Sequence, residues 1–321
     1  MDTLSGLLDG PRASGGFVLR VLLDPPWSML IQDEAPLTLM AVTSGSAWMI
    51  PGDGSPVQLN PGDIALARGP EHYVVADDPA TPPQVVIHPG QACTTIDGED
   101  LRDRMGLGVR TWGNSEDGAT KMLVGTYESQ TEVGARLLSA LPRHAVLDRE
   151  EHHTPLVEIL AEELVNDGPG QAVILNRLLD LLVISTARAI FDRTDGGAPG
   201  WYSAHADPIV GPALKLVHEA PDQPWTVADL ASEVGVSRAA FARRFTDVVG
   251  EPPMAFLTSW RISVGADLLR SSDTTIAAVA SQVGYSTPYA FSTAFKRLKG
   301  VSPSEYRNRP EKTADPAAVP A

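Results

Sequence analysis

The sequence predicts a two-domain α+β protein: an N-terminal antiparallel β-barrel with a helical pair after it, then an all-α C-terminal domain. Three observations carry this. Apolar segments of strand length, separated by turn clusters about every ten residues, run from residue 17 to residue 96. Helical periodicity replaces them after residue 150. Past a stretch rich in Gly and Pro at 194–200, one motif occurs twice. A length of 321 residues exceeds that of one typical domain. The expected boundaries are 1–150 for the barrel, 151–193 for the helical pair, 194–206 for a linker, 207–309 for the helical domain and 310–321 for a disordered tail.

The strand segments are Phe17–Leu23, Leu37–Thr43, Ala47–Ile50, Ile64–Ala67 and Val85–His88. Pro25 with Pro26, Pro51 through Gly54, Asn60 through Asp63, and Asp77 through Pro79 supply the turns between them. That rhythm fits a sandwich or a small barrel. In the helical pair, Leu156, Ile159, Leu160, Glu163 and Leu164 define a first helix, stopped by Asn166 through Pro169. Gln171–Arg193 forms the second, with Leu175, Leu178, Leu179, Leu182 and Val183 on one broad stripe. Such a stripe either covers the barrel's open end or forms a dimer contact.

Composition sets further limits. A hydrophobic fraction of 43% with 20% charged residues suffices to bury real cores. No apolar run reaches the roughly 18 residues of a membrane-spanning helix, so no membrane partner is expected. The opening residues lack the basic and apolar regions of a secretory signal. A single cysteine, Cys93, excludes an intrachain disulfide and fits a reducing cytoplasm. The net charge of −15 is unevenly placed: residues 207–321 hold 12 basic and 12 acidic side chains, so the excess acid lies before them. A neutral C-terminal domain with clustered basic residues remains able to meet a polyanion.

The repeated motif runs from Thr226 to Ser237 and on to Gly250, then again from Thr275 to Ser286 and on to Gly300. Thr226 suits an N-cap with Asp229 three residues on. Gly235 offers the positive φ of a tight interhelical turn, and Ser237 caps the next helix. Phe241, Phe245 and Val248 give that helix an inner face; Gly284, Ser286, Phe291, Phe295 and Leu298 repeat the scheme. This is the helix-turn-helix layout, whose second helix enters the major groove. A helical repeat of the protein-binding kind is the competing reading.

The helical wheel turns Arg238, Ala239, Ala242 and Arg243 outward, behind Ser237. Arg243 can grip guanine with two bonds, and the alanines can meet thymine methyls. In the second copy Ser286, Tyr289, Ser292, Thr293, Lys296 and Arg297 face out, the basic pair late enough in the helix to favour phosphates. Pro253–Arg270 reads as a connecting helix of roughly 27 Å, near the ~34 Å between major-groove faces. Arg261 and Arg270 on it are expected to be structural.

These residues resemble the AraC/XylS family of bacterial transcription regulators. The resemblance rests on Trp225 to Val227, Leu230, Ala231, Ser237, Phe241 to Phe245, Gly250 to Pro253, Arg261, Ala266 to Leu269, Ile276 to Ala280, Gly284 with Tyr285, Phe291 to Lys296, Gly300 to Pro303, and Tyr306 with Arg307. It implies a seven-helix domain that binds double-stranded promoter DNA, activates or represses transcription, and has RNA polymerase as a further contact. Gly45 to Ile50, Leu59 to Leu66 and Gly69 to His72 resemble, over roughly residues 16–145, the cupin-type sensor domain that precedes this unit in many members. The whole then reads as a one-component regulator, a homodimer with a small-molecule or redox effector.

Cupin enzymes hold a metal through a His-x-His pair, a Glu and a later His. Leu37–Pro51 contains no histidine, so His72 would stand alone, and a cupin metalloenzyme is the remote alternative. His88 and Cys93 flank a Pro-Gly turn. Joined by His72 and His144, or by the pair His152 and His153, they could hold zinc or another soft metal, or Cys93 could act as a thiol sensor. The plainer reading makes Cys93 a small buried residue, with no Lys or Arg within eight positions to activate it.

Overall fold

The computed structural model describes residues 16–127, 132–166, 168–193 and 199–309. The expected tail and positions 194–198 of the expected linker lie outside them. Contacts divide the chain into two compact units. One holds 16–127 and 141–192; the other holds 132–140 and 193–309.

The first unit is built on strands β1 (Gly16–Leu23), β2 (Ser28–Ile31), β3 (Leu37–Ser44), β4 (Ala47–Pro51), β5 (Val57–Leu59), β6 (Ile64–Ala67), β7 (Tyr73–Ala76), β8 (Val85–Ile87), β9 (Cys93–Thr95), β10 (Gly106–Gly108), β11 (Thr111–Gly113), β12 (Thr120–Tyr127) and β13 (His144–Leu147). A short helix α1 (Arg102–Met105) precedes β10. One sheet has the order β10-β11-β1-β12-β3-β6-β13, the other β5-β4-β7-β2-β8-β9. Val21, Met40 and Met122 from the first sheet share a core with Met29, Met49 and Val75 from the second. The five strands expected from sequence are all present, within a residue or so at each end.

The longest of the strands not expected from sequence is β12, which pairs with β1 on one side and β3 on the other. Gly125 in its middle reads as a strand breaker, yet it has a packing reason: a Cβ there would collide with Leu179 Cδ1. Leu179 belongs to α4 (Gln171–Asp192), which with α3 (Leu156–Val165) makes the helical pair. The pair therefore lies on the outer face of the larger sheet rather than over the barrel's open end. Leu160, Leu164, Leu175, Leu179, Leu182 and Val183 are buried by this packing. Tyr127 donates a 3.0 Å hydrogen bond to Asp180 Oδ1, pinning α4 to the end of β12. Leu178, read as part of the broad apolar stripe, is half-buried, and Leu181 is 50% exposed.

The second unit is helical: α2 (Glu132–Ala140), α5 (Gly200–Ser203), α6 (Val210–Glu219), α7 (Val227–Glu233), α8 (Arg238–Val249), α9 (Pro253–Ser271), α10 (Ile276–Gln282), α11 (Pro288–Lys299) and α12 (Pro303–Arg307). From α6 onward these are the seven helices that the resemblance implied. Residues 200–206, expected as linker, instead form α5 and a 3-10 turn, with Ala204 fully buried and Trp201 against the neighbouring core. There are two cores. Phe241, Phe245, Phe256, Leu257 and Trp260 fill the first, and Ile262, Ala266, Leu269, Phe291 and Phe295 fill the second. The connecting helix α9 supplies residues to both, its first half to one and its second half to the other. That shared helix ties the two motifs together.

Candidate nucleic-acid interface and sensor cavity

The first helix-turn-helix unit is α7 and α8. Thr226 Oγ1 accepts from the Asp229 N–H at 3.2 Å while the Asp229 carboxylate accepts from the Thr226 N–H at 2.9 Å, a complete capping box. Gly235 turns the chain at φ +73°, and Ser237 Oγ accepts from the Ala240 N–H at 3.3 Å to start α8. Phe241 and Phe245 face inward with no exposed surface. Arg238, Ala239 and Arg243 are exposed, as the wheel required, whereas Ala242 is half-buried.

The second unit, α10 and α11, departs by one residue. Thr287, not Ser286, caps α11 by accepting from the Ala290 N–H at 3.1 Å, and Pro288 takes the first helical position. The turn after Gly284 is one residue longer than that after Gly235, so the cap and both phenylalanines move along together. Ser286 is exposed before the helix. Tyr289 is 82% exposed; Thr293, Lys296 and Arg297 are exposed and Ser292 is half-buried. Leu298, expected on the inner face, is 46% exposed.

Several arginines in this unit hold the fold. Arg261 donates to the Pro221 and Gln223 carbonyls, each at 2.6 Å, and its guanidinium lies 5.9 Å from the Tyr285 ring. Arg270 stacks 4.4 Å from the Tyr306 ring. Arg244, unremarked in the sequence, pairs with buried Asp207 at 2.8 Å through Nε. Burial alone would push the Asp207 carboxyl up. Hydrogen bonds from the Val210 and Ile209 N–H groups, together with Arg244, outweigh it and hold the carboxyl below its usual range. Asp207 thereby starts α6 and anchors α8 to it.

The barrel encloses a cavity of about 870 Å³, its open mouth included. Its walls follow strand alternation: Leu19 and Val21 of β1, Met122 and Val124 of β12, Met29 and Ile31 of β2 all turn inward. The polar lining includes Asp33, Thr38, Tyr73, Gln91 and Thr126. Sequence reasoning named none of these five. Burial pushes the Asp33 carboxyl up, against hydrogen bonds from the Ala35 N–H and Gln91.

Comparison with known proteins gives these two sites a common setting. A Cupin family model matches residues 2–192 and a Helix-turn-helix domain model matches residues 230–309. The HTH-type transcriptional regulator AlkR of Acinetobacter baylyi is 30% identical over 96% of this chain and 100% of its own. An AraC-like transcription regulator of Streptomyces lividans is 29% identical over 97% of this chain and 99% of its own. The chain belongs to the AraC family of transcription regulators. Among solved structures, the DNA-binding domain of AdpA in complex with a target DNA is 31% identical, covering 32% of this chain and 91% of that one at a TM-score of 0.30. This AraC-family protein is a DNA-binding regulator with an N-terminal cupin domain. The cupin match extends through the helical pair, which the resemblance in sequence had left out.

In this AraC-family regulator the suggested metal ligands are not assembled. His72 is exposed, His88 shares a 2.9 Å hydrogen bond with Thr94 Oγ1, and His144 packs edge-on against Tyr73 at 6.0 Å. Among the described residues no three His, Cys, Asp or Glu side chains group to hold a metal. His152 is half-buried against α4, 3.2 Å from Ser185 Oγ. Cys93 is half-buried, its thiol 3.5 Å from the Gln91 carbonyl, and burial pushes its pKa up to about 11. Asp100 adds to that shift and Arg102, nine positions along the chain, opposes it. A thiol that stays protonated is a poor redox sensor. Alkylation by iodoacetamide at pH 7.5 should run about a hundredfold slower in the native chain than in urea. Equal rates would overturn the burial of Cys93.

Proposed function

We propose that this regulator binds its operator as a homodimer, each chain laying α8 and α11 into successive major-groove faces, under the control of an effector held in the barrel cavity. The carrying observation is the pair of reading helices fixed to one shared helix, α9, whose 19 residues span roughly 28 Å. Arg238, Ala239, Ala242 and Arg243 are the base-reading set of the first unit, with Ser237 at its mouth. In the second, Tyr289, Ser292 and Thr293 approach bases from beside Ser286, while Lys296 and Arg297 meet phosphates. Ile174, Leu178 and Leu181 recur at helical spacing on the solvent side of α4, and this row is the proposed dimer contact. The reading also places the protein in the cytoplasm, with RNA polymerase as a further partner.

Salt titrations on an operator fragment test the DNA face. Arg243→Ala should lower specific affinity by about 1–3 kcal/mol and relax preference at one base pair. Lys296→Ala should weaken all sequences alike and reduce the salt slope by about one. An Arg243→Ala chain that binds its operator unchanged would reject the facing assigned to α8.

A further inference from the structure

The polar residues of the cavity gather at one end. Thr126 and Thr38 are directly opposed across β12 and β3, and the Tyr73 hydroxyl is hydrogen-bonded to Thr38. Asp33 lies close enough to act on Tyr73 through its charge. Among the described residues, two polar atoms of the lining have no hydrogen-bond partner. Thr126 is 1% exposed and its Oγ1 makes no hydrogen bond; Trp112 is 5% exposed and its Nε1 makes none. Natural folds seldom leave such groups unmatched. Thr126 pairs with Phe17 and Trp112 with Val21, so the two residues are offset by roughly 13 Å along β1, on the strands to either side of it.

Asp33 completes the polar end. Its Oδ1 accepts from the Ala35 N–H at 3.1 Å, and Oδ2 receives a 3.4 Å contact from Gln91 Nε2. A carboxylate oxygen so lightly engaged keeps capacity for a further donor. Arg102, the cation of the lining, is exposed to water, which screens it.

We propose that the cavity binds an elongated, mainly apolar molecule whose hydrogen-bond-donating headgroup, an amine or an alcohol, sits between Asp33 and Thr126, and that it discriminates against the same chain ending in a carboxylate. The apolar body displaces water from the wall of Leu19, Val21, Met122 and Val124. The headgroup donates to Asp33 Oδ2 and satisfies Thr126 Oγ1. An anionic headgroup would set two carboxylates side by side in a poorly hydrated site. The inference rests on the cavity being the effector site.

Calorimetric titration of the full-length protein with decylamine, 1-decanol and decanoate, each below its aggregation limit, tests it. Decylamine and 1-decanol should bind at least tenfold tighter than decanoate. Asp33→Asn should remove the preference for amine over carboxylate, and Thr126→Val should weaken 1-decanol. Decanoate binding as tightly as the other two would overturn the headgroup assignment alone. If none of the three binds while the same preparation still binds operator DNA, the cavity's role as effector site falls with it.

Discussion

Gly284→Ala should destabilise the C-terminal unit by about 3 kcal/mol, whereas Gly235→Ala should cost about 1 kcal/mol. The two glycines hold the same place in the two motifs and have nearly the same backbone, φ +79° and φ +73°. Each alanine must adopt a left-handed conformation, which accounts for the smaller figure. Their surroundings differ. A Cβ at Gly235 meets nothing within 4 Å, but at Gly284 it would stand 2.7 Å from the Asp222 carbonyl oxygen and 2.8 Å from Arg261 Nη2. Arg261 cannot withdraw freely, since its guanidinium already bonds the Pro221 and Gln223 carbonyls. The Asp222 backbone lies in the same loop. Urea denaturation of each variant, followed by circular dichroism, separates the two values. Equal losses would mean that the loop from Pro221 to Gln223 does not pack on the second turn.

The helix-turn-helix units were legible in sequence because their determinants are short-range. A cap, a turn glycine and two phenylalanines four apart lie within about twenty residues, so their spacing alone fixes the local geometry. Thr287 rather than Ser286 caps α11 because the second turn is a residue longer than the first, and Leu298 turns to solvent instead of the inner face. The barrel was less legible. β12 is buried on both faces, so its alternation is blurred, and its Gly125 serves Leu179 rather than a turn. The cavity was not legible at all. An inward-facing residue carries the same pattern whether a core or an open space lies opposite. Thr38 and Thr126 stand out only once β3 and β12 are paired and the missing partner of Thr126 is seen.

The row of leucines on α4 poses the same problem in helical form, and it yields the prediction with the largest effect. The stripe is broad enough that sequence does not say which edge meets the sheet. In the structure Leu182 is 2% exposed and Leu181 is 50% exposed, so adjacent residues have opposite fates. Leu182→Asp removes a buried side chain and leaves a carboxylate with no partner against the outer face of the sheet. The loss should reach on the order of 5 kcal/mol, enough to unfold a domain of ordinary stability. Leu181→Asp should change stability by less than about 0.5 kcal/mol. With Leu178→Asp beside it, the variant should elute as a monomer in size-exclusion chromatography with light scattering while keeping its thermal transition. A dimer that persists in the Leu178→Asp, Leu181→Asp double variant would move the subunit contact away from α4. A folded, monomeric Leu182→Asp would mean instead that α4 presents its other edge to the sheet, and the burial of Leu175 and Leu179 would have to be reassigned with it.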